Sequence, residues 1–194
     1  MKLASLKKLA FVLGTTVLLQ GCAAALIGGV AAGTTKVATD PRTMGTQVDD
    51  ETLEIKVENA IDKDEQIESE ARVNAISYSG RVLLIGQVPS ESAKETATDL
   101  AKGVEGVSDV YNELRIGAKI GIGQITKDSW ITTQVKSKML VDDRVKSTDV
   151  KVLTENGEVF LLGNLTQAQA DAAADIASKV SGVQKVVKVF KYLN

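Results

Sequence analysis

Gly80-Arg81-Val82-Leu83-Leu84-Ile85-Gly86 recurs as Gly157-Glu158-Val159-Phe160-Leu161-Leu162-Gly163, 77 positions further on (157 − 80). The match extends outward from this pair of segments. Upstream, Val73 aligns with Val150, and Val57 and Ile61 align with Val135 and Met139 after one inserted residue. Downstream, Val104-Glu105-Gly106-Val107 aligns with Val180-Ser181-Gly182-Val183 after one deleted residue. The chain therefore contains one module written twice. Each copy, about 65–70 residues, is just large enough to close a core of its own.

Each copy reads in the same order. An amphipathic helix comes first, near 50–62 and 128–141. In the second copy, Ile131, Val135 and Met139 recur every four residues and give it one buried stripe. Asp128 or Ser129 is placed to cap its start. Two strands follow. Val150, Val152, Val159 and Leu161 alternate around Glu155-Asn156-Gly157, a strong hairpin signal, and Ser79-Gly80 takes that place in the first copy. Gly86 and Gly163 are read as the ends of the second strands. A second helix near 90–103 and 166–180 carries a face of Ala93, Ala97 and Ala101, or Ala170, Ala173, Ala174 and Ala177, which permits close packing on a sheet. A last strand near 108–116 and 184–192 places Val186 and Phe190 on one face and Val187 and Val189 on the other. The expected fold class is α+β: two tandem αββαβ domains, each with helices on one face of a three-stranded mixed sheet.

The flanking segments set the address. Lys2, Lys7 and Lys8 precede an apolar run from Leu9 to Leu19, closed by Leu19-Gln20-Gly21-Cys22. This is a signal peptide over 1–21 rather than a membrane span. The single cysteine of the chain stands immediately after the expected cut, a pattern that resembles a bacterial lipobox. Acylation of Cys22 holds the protein far better than one chain alone. No Asp follows Cys22, so the expected location is the outer membrane, facing the periplasm. Residues 22–47 are expected as the lipidated N-terminus and a flexible Gly-rich tether, 48–117 as the first domain, 118–125 as a linker and 126–194 as the second domain. The linker region around Gly117–Thr126 mixes glycine with isoleucine, which points to a bendable segment that still packs against something.

Composition removes most catalytic options. There is no histidine, and the one thiol is taken by the anchor, which excludes the His-dependent triads and metal sites. The acidic residues are read as lying on helix starts and loops rather than in converging pairs. No enzyme, cofactor or metal is expected. Nucleic acid is not an expected partner, for want of a basic stripe with interleaved aromatics.

The Gly-x-Val-x-Leu-x-Gly segments and the Val-x-Gly-Val segments, together with the lipobox, resemble the dual BON-domain lipoproteins of the bacterial outer membrane. The resemblance covers 48–194. It implies binding of anionic phospholipids such as phosphatidylglycerol and cardiolipin through the first helix of the second domain, placement at division sites, and support of outer-membrane integrity. It also implies an alternative role as an interaction adaptor for the machinery that assembles outer-membrane proteins.

Two features of the residues point to the same helix. Over 48–117 there are 16 acidic and 7 basic residues, a balance of −9, while 125–194 has 8 acidic and 10 basic, a balance of +2. Only the second copy suits an anionic surface. Trp130 is the sole tryptophan, and its first-copy counterpart is Thr52. On a helical wheel, Trp130, Gln134, Ser137 and Val141 form a stripe off the core direction, with Thr133 and Leu140 beside it and Lys127, Lys136 and Lys138 at the flanks. Two readings of Trp130 stand: a bilayer contact, or packing on the other domain or the linker isoleucines.

Overall fold

The computed structural model describes residues 44–193. The expected signal peptide, Cys22 and most of the expected tether lie outside the described residues. The first copy runs α1 (Met44–Ile61), α2 (Glu65–Glu70), β1 (Arg72–Tyr78), β2 (Arg81–Val88), α3 (Glu91–Lys102), β3 (Asp109–Asn112) and the two-residue β4 (Arg115–Ile116). The second runs α4 (Ile122–Leu140), a 3-10 turn (Ser147–Asp149), β5 (Val150–Glu155), β6 (Glu158–Leu165), α5 (Gln167–Ser178) and β7 (Lys185–Tyr192). In both sheets the hairpin is antiparallel and the last strand joins the centre in parallel, giving orders β1-β2-β3 and β5-β6-β7; β4 also pairs with β2, so the first sheet has four strands where three were expected, because the chain after β3 returns to the same central strand. The α+β class and mixed sheets expected from the repeat are those observed.

The local chemistry accounts for the elements. Both hairpins close over two residues of positive φ, Ser79-Gly80 and Asn156-Gly157, the left-handed pair that matches strand twist. Ser90 caps α3 through the Ala93 N–H, and Thr166 with Gln169 forms a capping box on α5. Four expectations are corrected. Gly86 and Gly163 do not end their strands but lie inside β2 and β6. A Cβ at Gly86 would stand 1.9 Å from the Arg72 carbonyl oxygen, and one at Gly163 would stand 2.4 Å from that of Asp149. The glycines are there because the neighbouring strand's backbone crosses at that point. Helix α4 begins at Ile122, inside the expected linker, with Gly121 at its N-cap. Asp128 and Ser129 are thus inner residues of the helix and cap nothing. Helix α1 begins at Met44, inside the stretch expected to be tether.

Each copy has a core between its sheet and its helices. Leu53, Val57, Ile61, Val82, Leu84, Val88 and the α3 alanines fill the first, and Ile131, Val135, Met139, Val159, Leu161, Leu165 and the α5 alanines the second. Phe190 and Val186 face this core, while Val187 and Val189 face away, as their alternation requires. The outward faces of the two sheets meet each other. Ile76, Tyr78, Leu83 and Ile85 of the first copy join Phe160, Leu162 and Val189 of the second in a third cluster. Every residue of β2 is consequently buried.

Ion pairs rim this apolar contact. Glu155 accepts from Arg72 Nη1 and from Gln87 Nε2 at 2.7 Å. Lys151 Nζ donates to Glu54 at 2.9 Å. Arg115 grips Glu158 through two bonds of 2.9 and 2.6 Å. The acidic copy thus receives one cation, Lys151, from the other, and supplies two of its own arginines in return. The linker is tied to the first copy, with Lys119 Nζ donating to the Ser69 carbonyl and the Ile120 N–H to Gln87.

Two outcomes follow from these contacts. Gly86→Ala loses about 1–3 kcal/mol or more in urea unfolding, the scale of forced overpacking, whereas Gly123→Ala, inside α4 where an added Cβ meets nothing within 4 Å, loses no stability because alanine is the better helix former. The Arg115 hydrogen bond holds the Glu158 carboxyl below the usual glutamate value of 4.5. A depressed folded-state pKa contributes stability above the unfolded value and loses it as pH falls through the folded one. Stability measured from about pH 5 down to about pH 2 therefore falls less steeply in Glu158→Gln than in the wild type.

Candidate functional site

Helix α4 is 19 residues long, about 28 Å at 1.5 Å per residue. Its inner face holds Asp128, Ile131, Val135 and Met139. Rotated about 100° per residue from there, the opposite face carries Ile122, Trp130, Leu140 and Val141, exposed to 83%, 52%, 67% and 81%. Thr133 and Ser137 fill the same outward strip and are exposed, while Gln134 at its margin is half-buried. The hydroxyls of Thr126 and Thr133 donate to the carbonyls of Ile122 and Ser129, four residues back. Those polar groups are satisfied within the helix, which leaves the strip less polar than its sequence suggests.

Three cations border it. Lys127, Lys136 and Lys138 are exposed, and among the described residues none makes an ion pair. The lysines of this copy that do pair, such as Lys151 and Lys179, lie elsewhere. The structure thus places eight of the nine expected residues, Lys127, Trp130, Thr133, Gln134, Lys136, Ser137, Lys138 and Leu140, on α4 and the ninth, Val141, at its C-cap, with Trp130, Leu140 and Val141 exposed. Ile122 was missed because the helix was started six residues too late (128 − 122). The Gly-rich run 117–123 hid it.

Helix α4 is held by one carboxylate. Asp128, 3% exposed, accepts from the N–H groups of Asn156 at 2.7 Å and Gly157 at 2.8 Å and from Gln124 Nε2. It fastens the helix to the hairpin turn. Asp50 does the same in the first copy, accepting from Ser79 N, Gly80 N and Ser77 Oγ. There the device is extended: Glu54 accepts from Ser77 N and Glu58 from Ala75 N. Carboxylates at i, i+4 and i+8 seal the outward N–H groups of edge strand β1, since four helical residues rise about 6 Å, close to the about 6.7 Å spanned by two strand residues. The acidic residues of α1 are therefore not confined to helix starts and loops. In α4 the corresponding positions are Asp128, Thr132 and Lys136, so the second copy keeps one carboxylate and frees Lys136.

Beside Trp130 lies a groove of about 540 Å³ lined by Gln124, Thr126, Lys127, Ile131 and the turn Ser181, Gly182 and Gln184. All of these residues belong to the second copy. Gly182 lets the turn sit against the helix, where a Cβ would come 3.1 Å from Ile131 Cδ1. The first copy has the same groove, with Asp49, Thr52 and Glu105 where the second has Lys127, Trp130 and Ser181. The walls are shared and the lining has changed from acidic to cationic and aromatic. Among the described residues no cluster of carboxylates fit to hold a metal ion occurs, and no helix is long and apolar enough to cross a membrane.

A duplicated α+β frame with one amphiphilic outer helix defines a tandem two-domain module, and comparison with known proteins gives it a family. The BON domain matches residues 49–118 and 127–194, and the chain belongs to that family. It is 72% identical to the outer membrane lipoprotein DolP of Haemophilus influenzae over 194 residues, the whole of both chains. It is 60% identical over 154 residues to a 21 kDa hemolysin of Actinobacillus pleuropneumoniae, covering 79% of each chain. It is 37% identical over 154 residues to the osmotically-inducible protein Y of Escherichia coli, covering 78% of this chain and 76% of that one. Identity of this extent to an outer-membrane lipoprotein places the protein at the outer membrane as a lipid-anchored member of the family.

Asp128→Ala strands two turn N–H groups and costs about 1–3 kcal/mol in chemical unfolding. Thr132→Ala, which removes only a hydroxyl bonded to Thr154, costs less, about 1 kcal/mol.

Proposed function

We propose that the second BON domain binds anionic phospholipid by laying the outer face of α4 on the bilayer. The observation that carries this reading is the combination of a half-exposed Trp130 with exposed Ile122, Leu140 and Val141 on one strip and three unpaired lysines at its borders. The indole favours the interface because its ring is apolar and its N–H still finds water or phosphate. Lys127, Lys136 and Lys138 meet lipid phosphates, each contributing about 1 kcal/mol near an anionic surface before screening. Acylated Cys22 makes the contact intramolecular, so a weak interaction suffices to bias where the protein sits. Membrane regions rich in phosphatidylglycerol or cardiolipin, the division site among them, concentrate it there, and its role in envelope integrity is non-enzymatic.

The bilayer contact is favoured over interdomain packing of Trp130 for two reasons. The sheet faces already form the contact between copies without it, and the groove beside the ring contains no first-copy residue. Ile122 of the linker region is exposed rather than packed.

The single tryptophan is its own reporter. Protein lacking residues 1–22 shifts its fluorescence to the blue with vesicles containing phosphatidylglycerol and not with phosphatidylcholine alone. The shift shrinks as salt rises. Trp130→Glu abolishes vesicle co-sedimentation while its unfolding midpoint stays near wild type, because the site is half-exposed. Retention of binding by that variant rules α4 out as the lipid contact.

A further inference from the structure

The second proposal rests on the contact between the two sheets and is independent of α4. Register pairing shows which residues are equivalent. Arg81 stands beside Asp109 as Glu158 stands beside Lys185, and Gln87 beside Arg115 as Asn164 beside Lys191. At one end of the contact, Glu158 of the second copy lies between Arg115 of the first and its own neighbour Lys185, at 2.6 and 3.6 Å. One carboxylate there binds two cations.

Exchanging the copies gives the other end, and the charges no longer close. The central position is now Arg81, and the residue reaching across is Lys191. Arg81 is only 9% exposed. Its one bond is from Nη2 to Asn164 Oδ1 at 3.4 Å. Neither Arg81 nor Lys191 makes an ion pair among the described residues, and adjacent Asp109 is exposed and pairs with neither. This largely covered guanidinium has Asp109 beside it in the sheet but no carboxylate within ion-pair distance, which leaves its charge short of a partner. Between Arg81, Asn164 and Lys191 is a pocket of about 360 Å³ whose lining also includes Ser79, Tyr111 and one carboxylate, Asp109, so two cations face one acid there.

We infer that this pocket is an anion site, built around Arg81 and Lys191, for the phosphate group of a small ester. An oxyanion placed there does what the Glu158 carboxylate does at the opposite end: it joins the two cations across the sheet contact. Phosphate fits better than a carboxylate. The guanidinium fork, the ammonium, the Asn164 amide and the hydroxyls of Ser79 and Tyr111 offer more donors than two carboxylate oxygens accept. The volume is in the range of small-molecule sites and leaves room for a glycerol-sized substituent. Because both copies supply ligands, occupancy tightens the contact between them.

The test uses full-length lipidated protein in a neutral detergent, followed by thermal unfolding at fixed ionic strength in chloride. Inorganic phosphate and sn-glycerol 3-phosphate form the soluble arm. Phosphatidylglycerol in the same detergent forms the lipid arm, run on Trp130→Glu so that α4 does not contribute. A ligand bound only by the folded state raises the midpoint in a saturable way. Saturation by the soluble esters assigns a soluble ligand, and saturation by phosphatidylglycerol alone assigns a lipid head group. Because Arg81→Gln alters a buried site and risks unfolding, the main variant is Lys191→Glu at an exposed position. It supplies an internal carboxylate to Arg81, so its midpoint without ligand equals or exceeds that of the wild type. Its ligand affinity falls about tenfold or more, the scale of one charge-assisted hydrogen bond. No saturable shift in either arm overturns the site, as does a shift that Lys191→Glu retains in full.

Discussion

The central strands of both sheets, β2 and β6, carry large apolar side chains on both faces, and everything else follows from covering them. Helices cover one face of each. The other face of each finds its only sufficient partner in the second sheet, where Leu83 and Ile85 meet Phe160 and Leu162. Burying a side chain of that size contributes about 1.5–3 kcal/mol, so seven residues in such a cluster outweigh the weaker ion pairs around it. The pairs set which way the sheets face: Arg72, Lys151 and Arg115 each find a carboxylate on the opposite copy only in this arrangement.

Using the sheet faces internally leaves the outer helix surfaces for binding, and the duplication lets them diverge. In α1 the positions Asp50, Glu54 and Glu58 serve edge strand β1, and the surface around them is strongly acidic. In α4 the matching positions are Asp128, Thr132 and Lys136. Only the first still serves a hairpin, and the helix gains a tryptophan where Thr52 stood. One copy therefore keeps a structural helix that an anionic surface repels, while the other offers an amphiphilic one.

Much of this was legible in the sequence because it lies in short-range patterns. The offset between Gly80 and Gly157 revealed the repeat. Asn156-Gly157 marked a turn, and the four-residue recurrence of Ile131, Val135 and Met139 placed the buried side of α4 and hence the exposure of Trp130. What was missed depends on contacts between distant segments. Gly86 looks like a strand end until the Arg72 backbone is brought against it. Asp128 looks like a helix cap until the hairpin turn arrives beneath it, and Ile122 looks like linker until Gly121 proves to be the N-cap. The pairing of the two sheet faces was hidden for the same reason. Phe160 and Leu162 alternate correctly with Val159 and Leu161, but alternation does not say what the second apolar face meets.

The two proposed sites differ in how they depend on that pairing. The outer strip of α4 belongs to one copy, so the bilayer contact proposed for it does not require the sheets to stay together. The Arg81 pocket exists only while they do, since Arg81 and Tyr111 come from the first copy and Asn164 and Lys191 from the second. By linkage, an anion that binds only the closed arrangement must stabilise it. The cationic end of the contact is thus a place where a small anion would govern how firmly the two copies are held together. The ionic closure at Glu158 does the same at the opposite end without any ligand.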